Sequence, residues 1–170
     1  MKIGDLLKNE IERVAKNKAS DMTCPKCRAG IDFVEQGSRY YYVCRKFPQC
    51  KHVLGAKPTG EIGGNQSEAR LAFVRSKARR AIVQAIDSGV KENDLKAWLC
   101  DESGASDITT EGMSEYAAYK VLACIAAAGK DVAKVASEKA AAMTERAERL
   151  KTQKERELFV RGILKVPPKA

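Results

Sequence analysis

Cys24-Pro25-Lys26-Cys27 and, after 16 intervening residues, Cys44-Arg45-Lys46-Phe47-Pro48-Gln49-Cys50 are the most informative stretches of this 170-residue chain. Each stretch can place two thiolates on one turn of backbone, and a hairpin between them can bring all four into a tetrahedral site. A catalytic zinc keeps one coordination position open, whereas four thiolates close the sphere. We therefore expect Cys24, Cys27, Cys44 and Cys50 to bind one structural Zn²⁺, which folds a ribbon too short to bury its own core.

Other interpretations of the cysteines are less favoured. Two disulfides would suit a secreted chain, but Met1-Lys2-Ile3-Gly4-Asp5 carries charge where a signal peptide would be apolar. We expect a cytoplasmic protein that does not enter the membrane. A redox C-x-x-C would need only one pair beside a βαβ pattern. His52, two residues past Cys50, could replace one cysteine as a ligand.

Cys100 and Cys124 stand apart from the two pairs, in apolar helical surroundings. A free cysteine in such surroundings behaves as a small hydrophobe. We expect both to pack in a core.

The composition changes along the chain and predicts an α+β fold that is mostly α. The expected parts are an N-terminal amphipathic helix at 1–20, a four-cysteine zinc ribbon built on a β-hairpin at 21–58, a small three-helix bundle at 66–129, and a long charged C-terminal helix with its tail at 130–170. The stretch 57–65 has one proline and three glycines and is typical of a linker or an irregular wrap.

Hydrophobic spacing places the individual elements. The first helix has an apolar face expected to pack on the ribbon or on another helix: Ile3, Leu6, Leu7, Ile11 and Val14. In the ribbon, 31–34 and 39–43 are predicted strands, joined at Gly37-Ser38.

Four further helices are predicted after the ribbon. The first begins with Ser67 as N-cap and ends near Gly89, and the second covers 92–100. The third covers 114–128 and has five residues expected to face inward: Tyr116, Tyr119, Val121, Leu122 and Ile125. The fourth, over 131–164, has too few apolar residues for a coiled-coil seam, so we expect it to dock only in part.

Three consecutive tyrosines, Tyr40 to Tyr42, lie on the second predicted strand. Alternate rings must point to opposite faces of the strand, so at least one should be exposed. An exposed ring among cations can stack on an unpaired base, although the same rings could instead cover a small core. The candidate nucleic-acid contacts are Arg39, Tyr40, Tyr42, Arg45, Lys46, Phe47 and Lys51, with Arg75 and Arg79 of the following helix.

The formal net charge is +9, and it becomes about +7 once four thiolates and a divalent ion are counted. The excess is localised in the second half of the ribbon and in the helix after it, whereas residues 81–116 carry eight acids and two bases. Such a basic region favours polyanions with little sequence selectivity, although a basic surface can also be merely solubilising.

The cysteine-containing stretches resemble the zinc ribbons repeated at the C-terminus of bacterial type IA DNA topoisomerases. The likeness covers roughly residues 22–58 and includes the Phe47-Pro48 pair before the last cysteine. It implies a module that binds single-stranded DNA or, in some cases, contacts RNA polymerase. The catalytic core of those enzymes has no counterpart here.

A wider and fainter resemblance spans residues 22–128 and includes Lys96-Ala97-Trp98-Leu99. It is to the zinc-finger-containing proteins of bacteriophages and other mobile elements. Their second cysteine pair is expected to be closer together than Cys44 and Cys50. The resemblance implies a phage or plasmid origin rather than a reaction.

Little in the sequence suggests catalysis, and we do not expect an enzyme. Four loosely spaced acids could hold a metal but are more typical of a solvated face: Asp101, Glu102, Asp107 and Glu111. Two functions from different classes remain. The preferred one is binding of nucleic acid, with single-stranded DNA favoured. The alternative is a protein interaction module, such as a phage-encoded modulator or inhibitor of host RNA polymerase or a nuclease. The oligomeric state is left open.

Overall fold

The computed structural model describes residues 3–108 and 113–160. It confirms the predicted α+β, mostly α class. Glu111 and the final residues 166–170, which the sequence analysis singled out, lie outside the described residues. The strands are β1 (Ile31–Gln36), β2 (Arg39–Cys44) and β3 (Val53–Ala56). The helices are α1 (Ile3–Ser20), α2 (Gln66–Asp87), α3 (Glu92–Ser103), α4 (Glu115–Ala128) and α5 (Val132–Val160).

The three strands form one antiparallel sheet in the order β1-β2-β3. Gln36 pairs with Arg39 across the predicted Gly37-Ser38 turn, where Gly37 has a positive φ of 66° that suits glycine. Both predicted strands are present and slightly longer than expected. The third strand was not predicted; it pairs with β2, with Tyr40 opposite Ala56.

The two faces of the sheet pack against different helices. Tyr42 and Phe33 face α1, whereas Tyr41 packs against Phe73 of α2, with ring centroids 5.0 Å apart. This alternation follows from the pleat of β2. The sheet is therefore a middle layer, covered by α1 on one side and by α2 on the other.

Helix α1 packs on the sheet through a different face from the one predicted. Ala15 and Ala19 are 0% and 2% exposed, whereas Ile11 and Val14 are 38% and 55% exposed. Small alanine side chains let the helix backbone approach the sheet closely, which outweighs the larger apolar residues. The side chains of Ile3, Leu6 and Leu7 lie outside the described part.

The segment 57–65 is an irregular wrap rather than a free linker. Gly63 N–H donates to Gly55 O at 3.1 Å, and Ala56 forms an isolated bridge with Ile62. The next helix begins two residues earlier than predicted, because Asn65 rather than Ser67 is its N-cap. The Asn65 side chain accepts from the backbone N–H groups of Ser67 and Glu68.

A separate apolar core lies among α2, α3, α4 and the first turns of α5. Trp98 of α3 and Val132 of α5 belong to it. On α4, Tyr119 and Val121 face inward as predicted, but Tyr116 is 64% exposed, so its predicted inward position was wrong. Leu122 and Ile125 are half-buried against the same core.

Helix α5 docks only at its beginning, as its composition predicted. Ala136 is fully buried, whereas Leu150, further along the helix, is 57% exposed. Within residues 3–108 and 113–160, no helix is both long enough and apolar enough to span a bilayer.

Candidate metal centre and arginine groove

Two tight backbone turns present the four cysteines. In the first, Arg28 N–H donates to Cys24 O at 2.8 Å, and Arg28 itself has a positive φ of 57°. In the second, Phe47 N–H donates to Cys44 O at 2.9 Å, and Cys50 N–H donates to Lys46 O at 2.8 Å. Cys44 also ends β2. The hairpin therefore places the second turn beside the first.

The four Sγ atoms all lie within 4.8 Å of one another. Cys24 Sγ is 3.6 Å from Cys50 Sγ, and Cys27 Sγ is 3.4 Å from Cys44 Sγ. A tetrahedral ion with metal–sulfur bonds of about 2.3 Å needs sulfurs about 3.8 Å apart. The four cysteines therefore fit one metal ion such as zinc. Cys24 and Cys44 are buried, and Cys27 and Cys50 are half-buried.

The thiols differ in their readiness to ionise. Burial raises the pKa of Cys44 to about 12 and also raises the pKa of Cys50. Burial opposes ionisation of Cys24 too, but backbone N–H groups of Cys27 and Lys26 outweigh it and lower the pKa to about 7. A bound cation would favour the thiolate at every position, so metal binding must release protons.

The remaining candidates lie outside this cluster. His52 does not belong to the metal-binding group found among the described residues; its Nε2 is buried without a hydrogen-bond partner there, and burial lowers its pKa. Cys100 and Cys124 are half-buried against the helical core, as predicted, and burial raises the pKa of both.

The second cysteine turn also contacts the helices. The Phe47 ring lies 5.3 Å from that of Phe73 and 5.8 Å from that of Tyr119. Lys51 Nζ lies 4.5 Å above the Tyr119 ring, which is a cation–π distance. Phe47 and Lys51, both candidate nucleic-acid contacts, thus join the ribbon to α2 and α4.

Other candidate contacts are distributed unequally. Tyr42 is fully buried and its hydroxyl donates to Gly60 O at 2.6 Å, so its ring is not available to stack on a base, which corrects that expectation. Tyr40 is half-buried and stacks on Phe33 at 5.5 Å. None of the three tyrosines is fully exposed.

The basic candidates of the second cysteine turn are exposed. Arg45 forms an exposed ion pair with Asp32 at 2.9 Å, and Lys46 is exposed.

Three predicted arginines meet in one groove between the β1–β2 turn and α2. Its cavity volume is about 390 Å³, and none of the described residues that line it is acidic. We call it the arginine groove; its polar lining comprises Arg39, Arg75 and Arg79 with Gln36, Ser38, Tyr41 and Ser76. Arg75 Nε donates to Met113 O. Arg79 Nε is buried and has no hydrogen-bond partner among the described residues.

A second groove adjoins the first. It has a volume of about 300 Å³ and is lined by Tyr40, Gly63, Gly64 and Glu68 among others. Ser38, Arg39 and Tyr41 line both grooves. We call this one the tyrosine groove.

The basic residues therefore form two clusters. Arg39 begins β2 and Cys44 ends it, which separates their Cα atoms by about 17 Å at the usual rise of a strand. Arg45, Lys46 and Lys51 lie at the cysteine end of the sheet. The sequence identified these residues but could not show this division, because Arg39 meets Arg75 and Arg79 only through the packing of α2 on the sheet.

The fold and site define a four-cysteine ribbon that could hold one metal ion, packed on a helical bundle. Comparison with known protein families, with curated proteins and with solved structures finds no match for the chain.

Proposed function

We propose that this protein is a zinc-ribbon nucleic-acid-binding protein that favours single-stranded DNA. The observation that supports this most is the arginine groove: three arginines from two elements converge where the described part of the chain places no acidic side chain in the wall. Cations in this arrangement favour phosphate oxygens. The half-buried Tyr40 ring stacks on Phe33 on the α1 side of the sheet, and its exposed part is suited to stacking on a base.

In this proposal the metal is one structural Zn²⁺. Four thiolates suit zinc and leave no position for water or substrate. The ion's role is to hold the two cysteine turns together, so the protein binds its ligand without catalysing a reaction.

The resemblance to topoisomerase zinc ribbons supports single-stranded DNA over duplex, and the fainter resemblance supports a phage or mobile-element origin, with action in the bacterial cytoplasm. The cations would contact phosphates, giving affinity with little sequence preference. Arg45 and Lys46 provide a second, smaller cluster, partly neutralised by Asp32.

Fluorescence anisotropy tests the proposal. The zinc-loaded protein would be titrated against single-stranded and double-stranded DNA and RNA of equal length at two salt concentrations. We expect single-stranded DNA to bind most tightly, with a log–log salt slope of about 0.7 per phosphate contacted. Absence of binding to every nucleic acid at low salt would refute it.

A second candidate function is docking on a host protein such as RNA polymerase. It is favoured by exposed apolar side chains on two helices, Ile11 and Val14 on α1 and Tyr116 on α4. The tagged protein would be used to capture partners from nuclease-treated bacterial lysate. A stoichiometric protein retained without nucleic acid would favour this function, and an empty matrix would argue against it.

A further inference from the structure

Two cationic groups of the arginine groove form no ion pair with the acids that the structure describes. Arg45 pairs with Asp32, and Arg70 pairs with Glu115 at 2.8 Å. By contrast, the described residues provide no ion pair for Arg75 or Arg79: Arg75 Nε is bound to a carbonyl and Arg79 Nε has no partner. Charged donors without an acidic partner in residues 3–108 and 113–160 are suited to an anion from outside.

The geometry of α2 makes these cations converge. Arg75 and Arg79 are four residues apart in one helix, so their Cβ atoms lie on one face about 6 Å apart. Arg39 reaches the same groove from the hairpin. Since each guanidinium presents a planar fork of donors, three of them can contact the oxygens of neighbouring phosphates.

The tyrosine groove differs in its chemistry. Glu68 lines it, and its carboxylate accepts from Asn65 Nδ2 at 3.0 Å. A carboxylate repels phosphate but can accept hydrogen bonds from the amino groups of a base. Tyr40 borders the groove, but its ring lies on the opposite, α1-facing side of the sheet against Phe33. Gly63 and Gly64 add no side chains to the wall.

We propose that the two grooves together form one single-strand site of about two nucleotides, with phosphates in the arginine groove and a base beside Glu68 in the tyrosine groove, and that Arg39 lies where the strand crosses between them. This site, rather than the cysteine end of the sheet, is the principal contact surface. The inference rests on the proposed function and specifies its location.

Charge-removing variants test the location. A labelled 12-nucleotide single-stranded DNA would be titrated by anisotropy with the zinc-loaded protein, with the double variant Arg39→Gln/Arg79→Gln, and with the control Arg80→Gln. Arg80 is exposed on the same helix and does not line the groove. A second comparison is Arg45→Gln/Lys46→Gln at the cysteine end.

We expect Arg39→Gln/Arg79→Gln to weaken binding by about tenfold or more, because each lost hydrogen bond joins an arginine to a charged phosphate. The same variant should lower the salt slope by about 1.4. Arg80→Gln should change the dissociation constant less than about twofold. If the wild type binds but the groove variant matches it, the location is wrong. If the wild type binds no single strand, the proposed function itself fails, and the site with it.

The base position has its own test. Glu68→Ala should weaken binding by about fivefold or more through the lost hydrogen bonds to the base, and it should not weaken binding of an abasic 12-mer. An equal loss with both oligonucleotides would refute a base beside Glu68.

Should a variant misfold, amide shifts of the wild type provide the deciding measurement. Titration with single-stranded DNA should move the signals of Gly37, Ser38 and Ser76 more than those of Lys46 and Gln49. The reverse pattern would overturn the inference.

Discussion

Gly60 joins three parts of the molecule at a single residue. Its carbonyl accepts from the Tyr42 hydroxyl at 2.6 Å and from Lys18 Nζ at 3.3 Å. Its φ is +78°, and a Cβ added there would lie 2.8 Å from Ala15 Cβ. Glycine is therefore required for two reasons, the backbone conformation and the close approach of α1.

Gly64 provides a matched control, because its φ is +77° and an added Cβ would meet no atom of the described residues within 4 Å. We expect both Gly60→Ala and Gly64→Ala to lower the free energy of unfolding by about 1 kcal/mol through backbone strain. Gly60→Ala should lose about 1–3 kcal/mol more through overpacking. Urea unfolding of the two variants measures the difference, and equal losses would show that α1 does not pack as described.

Among the elements, the second cysteine turn forms the connection between ribbon and helices. Phe47 contacts Phe73 and Tyr119, so it packs on α2 and α4 at once. We expect Phe47→Ala to lower the free energy of unfolding by about 2 kcal/mol, less than for a fully buried phenylalanine because Phe47 is only half-buried. Tyr116→Ala on the exposed face of α4 should cost no more than about 0.5 kcal/mol. If Phe47→Ala lowered the free energy of unfolding as little as Tyr116→Ala, the second cysteine turn would not connect the ribbon to the helices.

Helix α5 should show two levels of protection from hydrogen exchange. Its first turns share the helical core, whereas the part beyond Met143 is almost wholly exposed. We expect amides near Ala136 to exchange slowly and those from Arg146 onward to exchange much faster, because opening the second part exposes little apolar surface. Uniform protection along the helix would indicate that another surface covers it.

Local signals explain which elements could be predicted from the sequence. Each of three local features predicted its element: the cysteine spacing, the Gly37-Ser38 turn, and the apolar residues that recur at helical spacing. Strand β3 is only four residues long, Val53-Leu54-Gly55-Ala56, and no alternating pattern marks it. The packing face of α1 was missed because close approach to a sheet selects Ala15 and Ala19 over larger residues.

At the scale of the whole molecule, two cores are joined by a smaller third one. The ribbon core contains Tyr42, Cys24 and Cys44; the helical core contains Trp98; and Tyr41, Val43 and Phe73 lie between them. The helical core contains none of the four clustered cysteines. Its folding should therefore depend little on the metal.

Removal of the metal by a strong chelator tests this independence. We expect the tyrosine signals of the near-ultraviolet circular dichroism to collapse as the ribbon loosens, while most of the helical signal remains. Trp98 is the only tryptophan and is 4% exposed in the helical core, so its fluorescence maximum should not move. A red shift on chelation would show that the two cores unfold as one unit.

The most direct test of the account is native mass spectrometry of the purified protein with two single-cysteine variants. We predict one zinc ion per chain in the wild type and in Cys124→Ser, whose thiol packs against the helical core, and loss of the ion in Cys44→Ser, which removes a buried ligand of the cluster. A folded wild type that carries no metal, or a Cys44→Ser variant that retains zinc as tightly as the wild type, would contradict the four-cysteine centre on which the ribbon is built.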